Sequence, residues 1–424
     1  MSVNGMTGVP GFFSSVESLS REEMERSQLL GLRWTLRQAQ RSGLYRDVSL
    51  DLGVSSLDDV VRLPFTSKLA LRECYPFGAL AVPREEVLYF CSTSGTTGRP
   101  VVVYFTGGDL DSIGEGLARS FSVSGMGSGD SALLMIHPMM AFLFQKGLHG
   151  LGAMSVLTGP GNDAAQVGLA RDLGITTLFG VPSYLLHLGS LLGGGGVFGR
   201  GGLEVLEGLE GLERIVTLGE SLTPSMRGRI EGLWGAEVFD DYGSVELATG
   251  FLECSEHDGH HALWDHFLFE TVDPVSGEPT DGRGELVFTT LKRKATPLIR
   301  YRTGDLVRIE YDECACGRTS PRIFPEGRLG EMTKVKGTSV YPSSLTEAVM
   351  AVREVLNFRF EVEKEGDLDR LVLRVEATDR GEGLAERLAL VVKGVSNITP
   401  EVVFVDSGSL TGKRKTRHFV DKRP

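Results

Sequence analysis

Cys91-Ser92-Thr93-Ser94-Gly95-Thr96-Thr97-Gly98-Arg99-Pro100-Val101 is a hydroxyl-rich loop with two glycines, entered from the apolar run Val87-Leu88-Tyr89-Phe90. The backbone N–H groups of such a loop can wrap around a phosphate, and Ser and Thr add hydroxyl donors. No Gly-Lys-Ser/Thr follows, so it is not a Walker loop. Alone, the stretch reads equally as a turn between two strands. What lies downstream decides between these readings.

Outward from the loop, short β-like runs alternate with helical ones. Ala132–Ile136, Thr176–Phe179, Arg214–Leu218 and Glu237–Phe239 read as strands, and Asp163–Leu173, Pro182–Leu192 and Thr223–Leu233 as helices between them. This alternation predicts a mostly parallel, helix-covered sheet, which binds ligands at the carboxyl ends of its strands. Upstream, the spacing of Met24, Leu29, Leu32 and Leu36 predicts an amphipathic helix over Ser20–Ser42, with short helices at Asp58–Leu63 and Lys68–Cys74. Gly193–Gly202 reads as a loop. After Phe267 the texture turns to β: Glu285–Thr290 and Leu306–Ile309 read as strands, with a break near Pro325–Arg328. Beyond it, helices at Ser343–Val352 and Glu382–Val392 and strands at Phe358–Val362 and Arg370–Ala377 predict a small α+β domain. The expected fold class is α/β. It comprises a large N-terminal domain of helix-covered sheets with a β-rich subdomain (1–327) and a small α+β C-terminal domain (328–424), whose mobility is implied only by the resemblance given below.

The chain has 424 residues, 24% of them charged, and a net charge of −12, which argues against nucleic acid or an anionic membrane surface as partner. No apolar run approaches membrane-spanning length and no signal peptide is evident. Five cysteines are too few for a disulfide scaffold in a chain this long, and a reducing cytoplasm is the expected compartment.

Two further constellations carry chemistry. Asp240-Asp241-Tyr242-Gly243-Ser244-Val245-Glu246 follows a predicted strand. An aromatic, a glycine and an acid at that spacing can stack a flat base and hold a divalent cation; a helix N-cap with a first-turn Glu reads as well. Tyr301-Arg302-Thr303-Gly304-Asp305-Leu306 places a carboxylate where a turn enters a strand. That carboxylate could accept from a ribose diol, or could simply belong to a β-turn.

The order Ser92–Pro100, Asp241–Glu246, Arg300–Leu306, Gly327–Gly337 and then a basic tail resembles the adenylate-forming superfamily, and more closely its phenylacetate–CoA ligase family. Leu63–Lys68, Tyr75–Gly78 and Val340–Ser343 extend the likeness from about residue 10 to Arg423. The resemblance implies ATP-dependent formation of an acyl-adenylate from an aromatic carboxylic acid, then of its coenzyme A thioester. Delivery to a carrier protein or amine, or AMP transfer to a cofactor, is the alternative. It assigns Ser92, Thr93, Ser94, Gly95, Thr96, Thr97 and Gly98 to the phosphates. Gly219, Glu220, Ser221, Asp241, Tyr242, Gly243 and Ser244 frame adenine. Asp305 takes the ribose and Arg328 lies near the ribose or phosphates. Glu246, with Thr97, would hold Mg²⁺. Glu331, where Asp is more usual, is the implied hinge, and Lys336 and Gly337 would meet the pantetheine arm. The adenylating lysine is Lys415 by register from Phe419–Asp421, with Lys413 as the alternative.

Cys314 and Cys316, with Cys254 and a histidine of His257–His261, suit tetrahedral zinc. The rival reading is reduced cysteines in two surface loops. Some members of the resembled family carry zinc here, and Cys254 with His261 fits that pattern, His260 being the alternative ligand. The acid pocket is expected between Ala132–Ile136 and the helix from Pro182, lined by Met139, Met140, Ala141, Phe142, Phe144 and Tyr184. Expected partners are the acid, ATP, coenzyme A and a second copy of the chain.

Overall fold

The helix Arg21–Ala39 starts at Ser20, whose hydroxyl accepts from the Glu23 N–H while the Glu23 carboxylate accepts from the Ser20 N–H. This reciprocal cap satisfies two otherwise orphaned donors. The helix buries Leu32, Leu36 and Ala39 in a core with Leu268, Leu291 and Ile299. Two polar side chains on the helix bond strand and loop carbonyls: Gln28 Nε2 donates to Trp264 O (2.7 Å) and Thr35 Oγ1 to Thr290 O (2.6 Å). The computed structural model describes residues 12–48, 50, 53–93, 99–161, 163–192, 209–330, 333–336, 338–365, 368–381, 383–406, 408–410 and 418–423.

The chain divides into two compact units. The first comprises residues 1–130, 138–155 and 241–329. Its centre is an antiparallel sheet in the order Phe267–Val272, Arg283–Thr290, Tyr301–Glu310, Arg322–Arg328, His260–His261. Phe251, Phe267, Phe269, Phe288 and Tyr301 fill its core. Phe251 meets Phe269 and Phe267 meets Phe288 edge to face, each pair 5.6 Å between centroids. The hairpin Tyr89–Ser92/Val102–Phe105 brackets the hydroxyl-rich loop. Helices Gly107–Ser122 and Pro138–Leu151 pack closely, because Gly147 has no Cβ to strike Leu117.

The second unit comprises residues 131–137, 156–240 and 330–424. Ser131–Leu134, Thr177–Gly180 and Arg214–Leu218 pair in parallel, and helices Asp163–Asp172, Pro182–Leu192 and Pro224–Trp234 alternate with strands as the pattern predicts. Its C-terminal portion holds a sheet in the order Glu401–Phe404, Leu368–Ala377, Val355–Glu365, Phe419–Asp421, with helices Pro342–Met350 and Leu384–Ser396. Within the unit, Ser225 Oγ donates to Glu347 (2.6 Å) and Arg229 to Val355 O (2.6 Å).

Three segments differ from expectation. The strand read as Glu237–Phe239 continues to Ser244, so Asp241–Ser244 is strand paired with Thr249–Leu252, not a helix cap. Residues 301–305 begin a strand rather than forming a turn. The break at Pro325–Arg328 is a register shift inside the strand Arg322–Arg328. Glycines misled the reading: Gly304 (φ +78°) and Gly327 (φ +146°) lie at β-irregularities, which keep a strand going while re-aiming its side chains.

A Cβ on Gly147 would lie 2.5 Å from the Leu117 Cβ and 3.0 Å from its carbonyl carbon. Gly147→Ala is therefore expected to destabilise the fold by about 1–3 kcal/mol, the usual cost of overpacking, read as a lowered urea midpoint with unchanged m.

Candidate active site

The hairpin closes the base of the loop. Thr93 N–H donates to Val101 O and Val101 N–H to Thr93 Oγ1, both 3.0 Å. Ser92 N–H points at Met139 Sδ (2.9 Å). Ser94, Gly95, Thr96, Thr97 and Gly98 lie outside the described residues.

Two carboxylates share one corner of the first unit. Asp305 Oδ2 accepts from the Tyr242 hydroxyl (2.8 Å), and Asp305 Oδ1 is 3.2 Å from Arg328 Nε, its cross-strand partner. Glu246 Oε1 accepts from the Tyr301 hydroxyl (2.9 Å) and lies 3.6 Å from Lys68 Nζ. The carbonyls of Glu246 and Leu247 accept from the buried Arg293 guanidinium, which fixes the turn after the strand. Burial raises the Asp305 carboxyl above its usual range, against the opposing pull of Arg328. Burial, then the neighbouring Asp305 charge, raises the Tyr242 phenol; Tyr301 is raised by burial and Glu246. Both phenols therefore stay protonated donors.

Asp241 is buried against Gly250, where a Cβ would collide with its carboxylate. A Cβ on Gly243 would lie 2.5 Å from Thr249 O, and Ser244 stands opposite Thr249 with its carbonyl accepting from Ala248 N–H (2.9 Å). In the second unit, Gly219 takes φ +76° and the Glu220 carboxylate accepts from Ser183 N–H (3.1 Å) and Oγ (3.0 Å), at the start of the helix Pro182–Leu192; Ser221 is exposed.

Of the expected pocket residues, Met139, Met140, Ala141 and Phe142 share the helix Pro138–Leu151. Met139 O accepts from the Tyr89 hydroxyl (2.9 Å) and the Phe142 ring lies 4.4 Å from that of Tyr89. Phe144 is core, edge-on to Phe121. Tyr184 belongs to the second unit, and its hydroxyl donates to Asp163 (2.7 Å). Lys336 adopts φ +51° and its N–H donates to Asp369 (3.0 Å). Glu331, Gly337, Lys413 and Lys415 lie outside the described residues.

A second cluster lies in the first unit. One ligand atom from each of Cys254, His261, Cys314 and Cys316 falls within 4.8 Å of all the others. Cys254 Sγ is 3.8 Å from Cys314 Sγ, and Cys316 Sγ is 3.5 Å from His261 Nε2. His261 Nδ1 is engaged by Ser320 Oγ (3.1 Å), which leaves Nε2 facing the thiols. The hydrogen bond from Cys254, then His261, pulls Cys316 toward the thiolate. His260, the next residue on the strand, bonds Ile323 O through Nδ1 and is not in the cluster.

Lys68 and Tyr301 were part of quoted motifs but were not singled out as site residues. Their polar ends meet on one oxygen of Glu246. The signal for Tyr301 was a strand start misread as a turn; for Lys68 there was none in spacing.

In this corner each carboxylate thus has one phenol and one cation: Tyr242 and Arg328 for Asp305, Tyr301 and Lys68 for Glu246. Residues 45–287 match the AMP-binding enzyme family and residues 337–423 the AMP-binding enzyme C-terminal domain. A phenylacetate-coenzyme A ligase of Thermus thermophilus is 34% identical, over 96% of this chain and 98% of that protein. One of Escherichia coli K12 is 33% identical, over 93% and 94%. The crystal structure of 2-hydroxyisobutyryl-CoA ligase in its postadenylation state shares the fold with a TM-score of 0.86 at 24% identity, over 99% of this chain and 94% of that one. The chain belongs to the phenylacetate-coenzyme A ligase family of AMP-binding enzymes.

Because the folded-state carboxyl of Asp305 is raised, its ionisation weakens the fold as pH rises from the unfolded carboxylate range through the folded value. Asp305→Asn removes that cost. The variant is expected to be more stable than the parent at pH 7, with the difference shrinking toward pH 4, as measured by urea midpoints across pH.

Proposed function

We propose that the acid activated by this ligase is an arylacetate resembling phenylacetate. The enzyme joins its acid to ATP as an acyl-adenylate and then forms the coenzyme A thioester. In the first step a carboxylate oxygen attacks the α-phosphorus and pyrophosphate leaves. In the second the thiol attacks the acyl carbonyl and AMP leaves. The observation that carries the site reading is the pairing of Tyr242–Asp305–Arg328 with Tyr301–Glu246–Lys68 in one corner. In this reading Asp305 accepts from the ribose hydroxyls, Tyr242 lies against adenine with Asp241, Gly243 and Ser244, and Arg328 faces the ribose or phosphates. Gly219, Glu220 and Ser221 complete the adenine frame. The loop Ser92–Gly98 cradles phosphate, and Glu246 with Thr97 would hold Mg²⁺, which would supply charge screening for phosphate oxygens. Lys415 offsets charge on the attacking carboxylate and the α-phosphate, with Lys413 as the alternative. Glu331 is the hinge of a C-terminal domain that turns between half-reactions, and Lys336 and Gly337 face the pantetheine arm.

The apolar and aromatic character of Met139, Met140, Ala141 and Phe142, next to the Tyr89 ring, suits an aryl acid. Tyr184 is a further aromatic residue assigned to the acid. The names of the relatives point the same way. Three thiols and one imidazole nitrogen converging at Cys254, His261, Cys314 and Cys316 form a soft donor set suited to structural Zn²⁺. Among the described residues no helix is long and apolar enough to cross a membrane. We place the enzyme in the cytoplasm, as a homodimer.

ATP–pyrophosphate exchange with a panel of acids tests the substrate: phenylacetate and its ring-substituted relatives should exchange fastest, and exchange with aliphatic acids alone would overturn the aryl assignment. Exchange without thioester formation on adding coenzyme A would move the second step to a carrier protein or amine. In the same assay Lys415→Ala should lose adenylation by about 100-fold or more, the scale of a missing oxyanion donor, while still converting supplied acyl-adenylate to thioester. The same loss in Lys413→Ala instead would transfer the role.

Purified enzyme is expected to carry one zinc per chain, and Cys316→Ser to lose it and unfold at lower temperature. Metal-free protein after gentle purification would refute the assignment.

A further inference from the structure

Arg300 has a left-handed backbone (φ +42°) although it is not glycine, and its side chain is buried. A bulky residue is held in such a conformation only when its surroundings over-determine it. Here they do. The guanidinium forks onto Glu270, with Nε 3.1 Å from Oε1 and Nη2 2.8 Å from the same oxygen. Nη1 donates to Val61 O and Leu63 O, both 2.9 Å. The guanidinium carbon stands 4.0 Å from the Phe65 ring centroid. The Arg300 carbonyl accepts from Thr66 N–H (3.0 Å), and Arg302 N–H donates to Thr66 O (2.9 Å). One residue thus grips the whole segment from Val61 to Thr66 and docks it on the start of the strand Tyr301–Glu310.

Both ends of that grip lead to Glu246. Tyr301, the next residue, donates its hydroxyl to Glu246 Oε1 (2.9 Å). Two residues past Thr66, Lys68 opens a short helix capped by Ser67 and sets Nζ 3.6 Å from the same oxygen. The segment carrying Lys68 has no strand ladder of its own, only the isolated bridge Thr66↔Tyr301. It is held by Arg300, by the Thr66 hydroxyl, which donates to Ile299 O (2.6 Å) and meets the Tyr45 hydroxyl (2.8 Å), and by the buried Leu63 and Leu71.

We infer that Arg300 is a positioning residue for adenylation: pinned by Glu270, it holds Tyr301 and Lys68 on Glu246 in the geometry the first half-reaction needs. The inference rests on reading Glu246 as part of the nucleotide and metal site. Arg is required rather than Lys because four acceptors on two sides need a planar fork.

The test is a double-mutant cycle in the full-length enzyme, scored by ATP–pyrophosphate exchange and, separately, by thioester formation from supplied acyl-adenylate. Arg300→Met should raise the KM for ATP and cut kcat/KM for exchange about 10-fold or more, as expected when an aligned group is misplaced, with thioester formation from supplied adenylate changed less than about 2-fold. Arg300→Lys should recover part of the exchange rate. In the cycle, Arg300→Met should slow the Lys68→Ala enzyme clearly less than it slows the parent, because one of the two groups the clamp acts through is already removed. If Arg300→Met does not fold, Glu270→Gln takes its place in the cycle. Multiplying effects in the double mutant, or equal slowing of both half-reactions, overturns the clamp. Glu246→Gln is the control: exchange at the parental rate overturns the site reading and the inference with it, whereas an inactive Glu246→Gln with multiplying effects overturns the clamp alone.

Discussion

Glu246 and Asp305 have to carry charge where water is scarce. Removing a carboxylate from water costs several kcal/mol unless hydrogen bonds and an opposite charge replace hydration. The structure offsets this cost twice with the same kit, although at Asp305 burial still outweighs the opposing charge. Asp305 has the Tyr242 phenol and Arg328; Glu246 has the Tyr301 phenol and Lys68. Each phenol is a neutral donor that burial keeps protonated, and each cation is partly exposed, so it can turn toward an incoming anion. Arg328 is half-exposed and Lys68 about a third. A corner of this kind is balanced when empty and still offers acceptor lone pairs for hydroxyls or a metal ion.

The irregular backbone around the corner follows from that need. A regular antiparallel ladder alternates side chains and would not bring Asp305 beside Tyr242 and keep Arg328 across from it. The shifts of register near Gly304 and Gly327 do so, at two positions where glycine accepts a positive φ. These are the places where the sequence reads as turn. The regular elements were legible: the helix from Ser20, the alternating strands and helices between residues 131 and 240, and the small C-terminal α+β pattern all follow from periodicity. The motif residues Tyr242, Glu246, Asp305 and Arg328 were legible through their order along the chain. Their partners were not. Lys68 arrives through a segment with no periodic signal, and Arg300 through an arginine whose backbone angle no propensity foretells.

The cysteine cluster shows the same division. Its members could be chosen from spacing, but the choice between His260 and His261 depends on strand alternation, which turns one ring to Ile323 O and the other to the thiols. Arg318, two residues past Cys316, donates to that sulfur (3.7 Å) and to Glu17 (2.7 Å), an ion pair buried on both sides. Thr319 adds hydrogen bonds to the carbonyls of Glu17 and Leu19. Residues 17–19 are therefore tied to the loop that carries two of the cysteines.

The partners of the first helix come late. Gln28 bonds the carbonyl of Trp264, Thr35 that of Thr290, and Glu17 waits for Arg318. A ribosome adding 5–20 residues per second needs roughly 15–60 s to make the intervening ~300 residues. For that interval the nascent amino-terminal segment exposes Leu32, Leu36 and Ala39 without their sheet. The newborn polypeptide must either be shielded or stay unstructured there, and the contacts of residues 17–39 can be completed only after Arg318 has been translated.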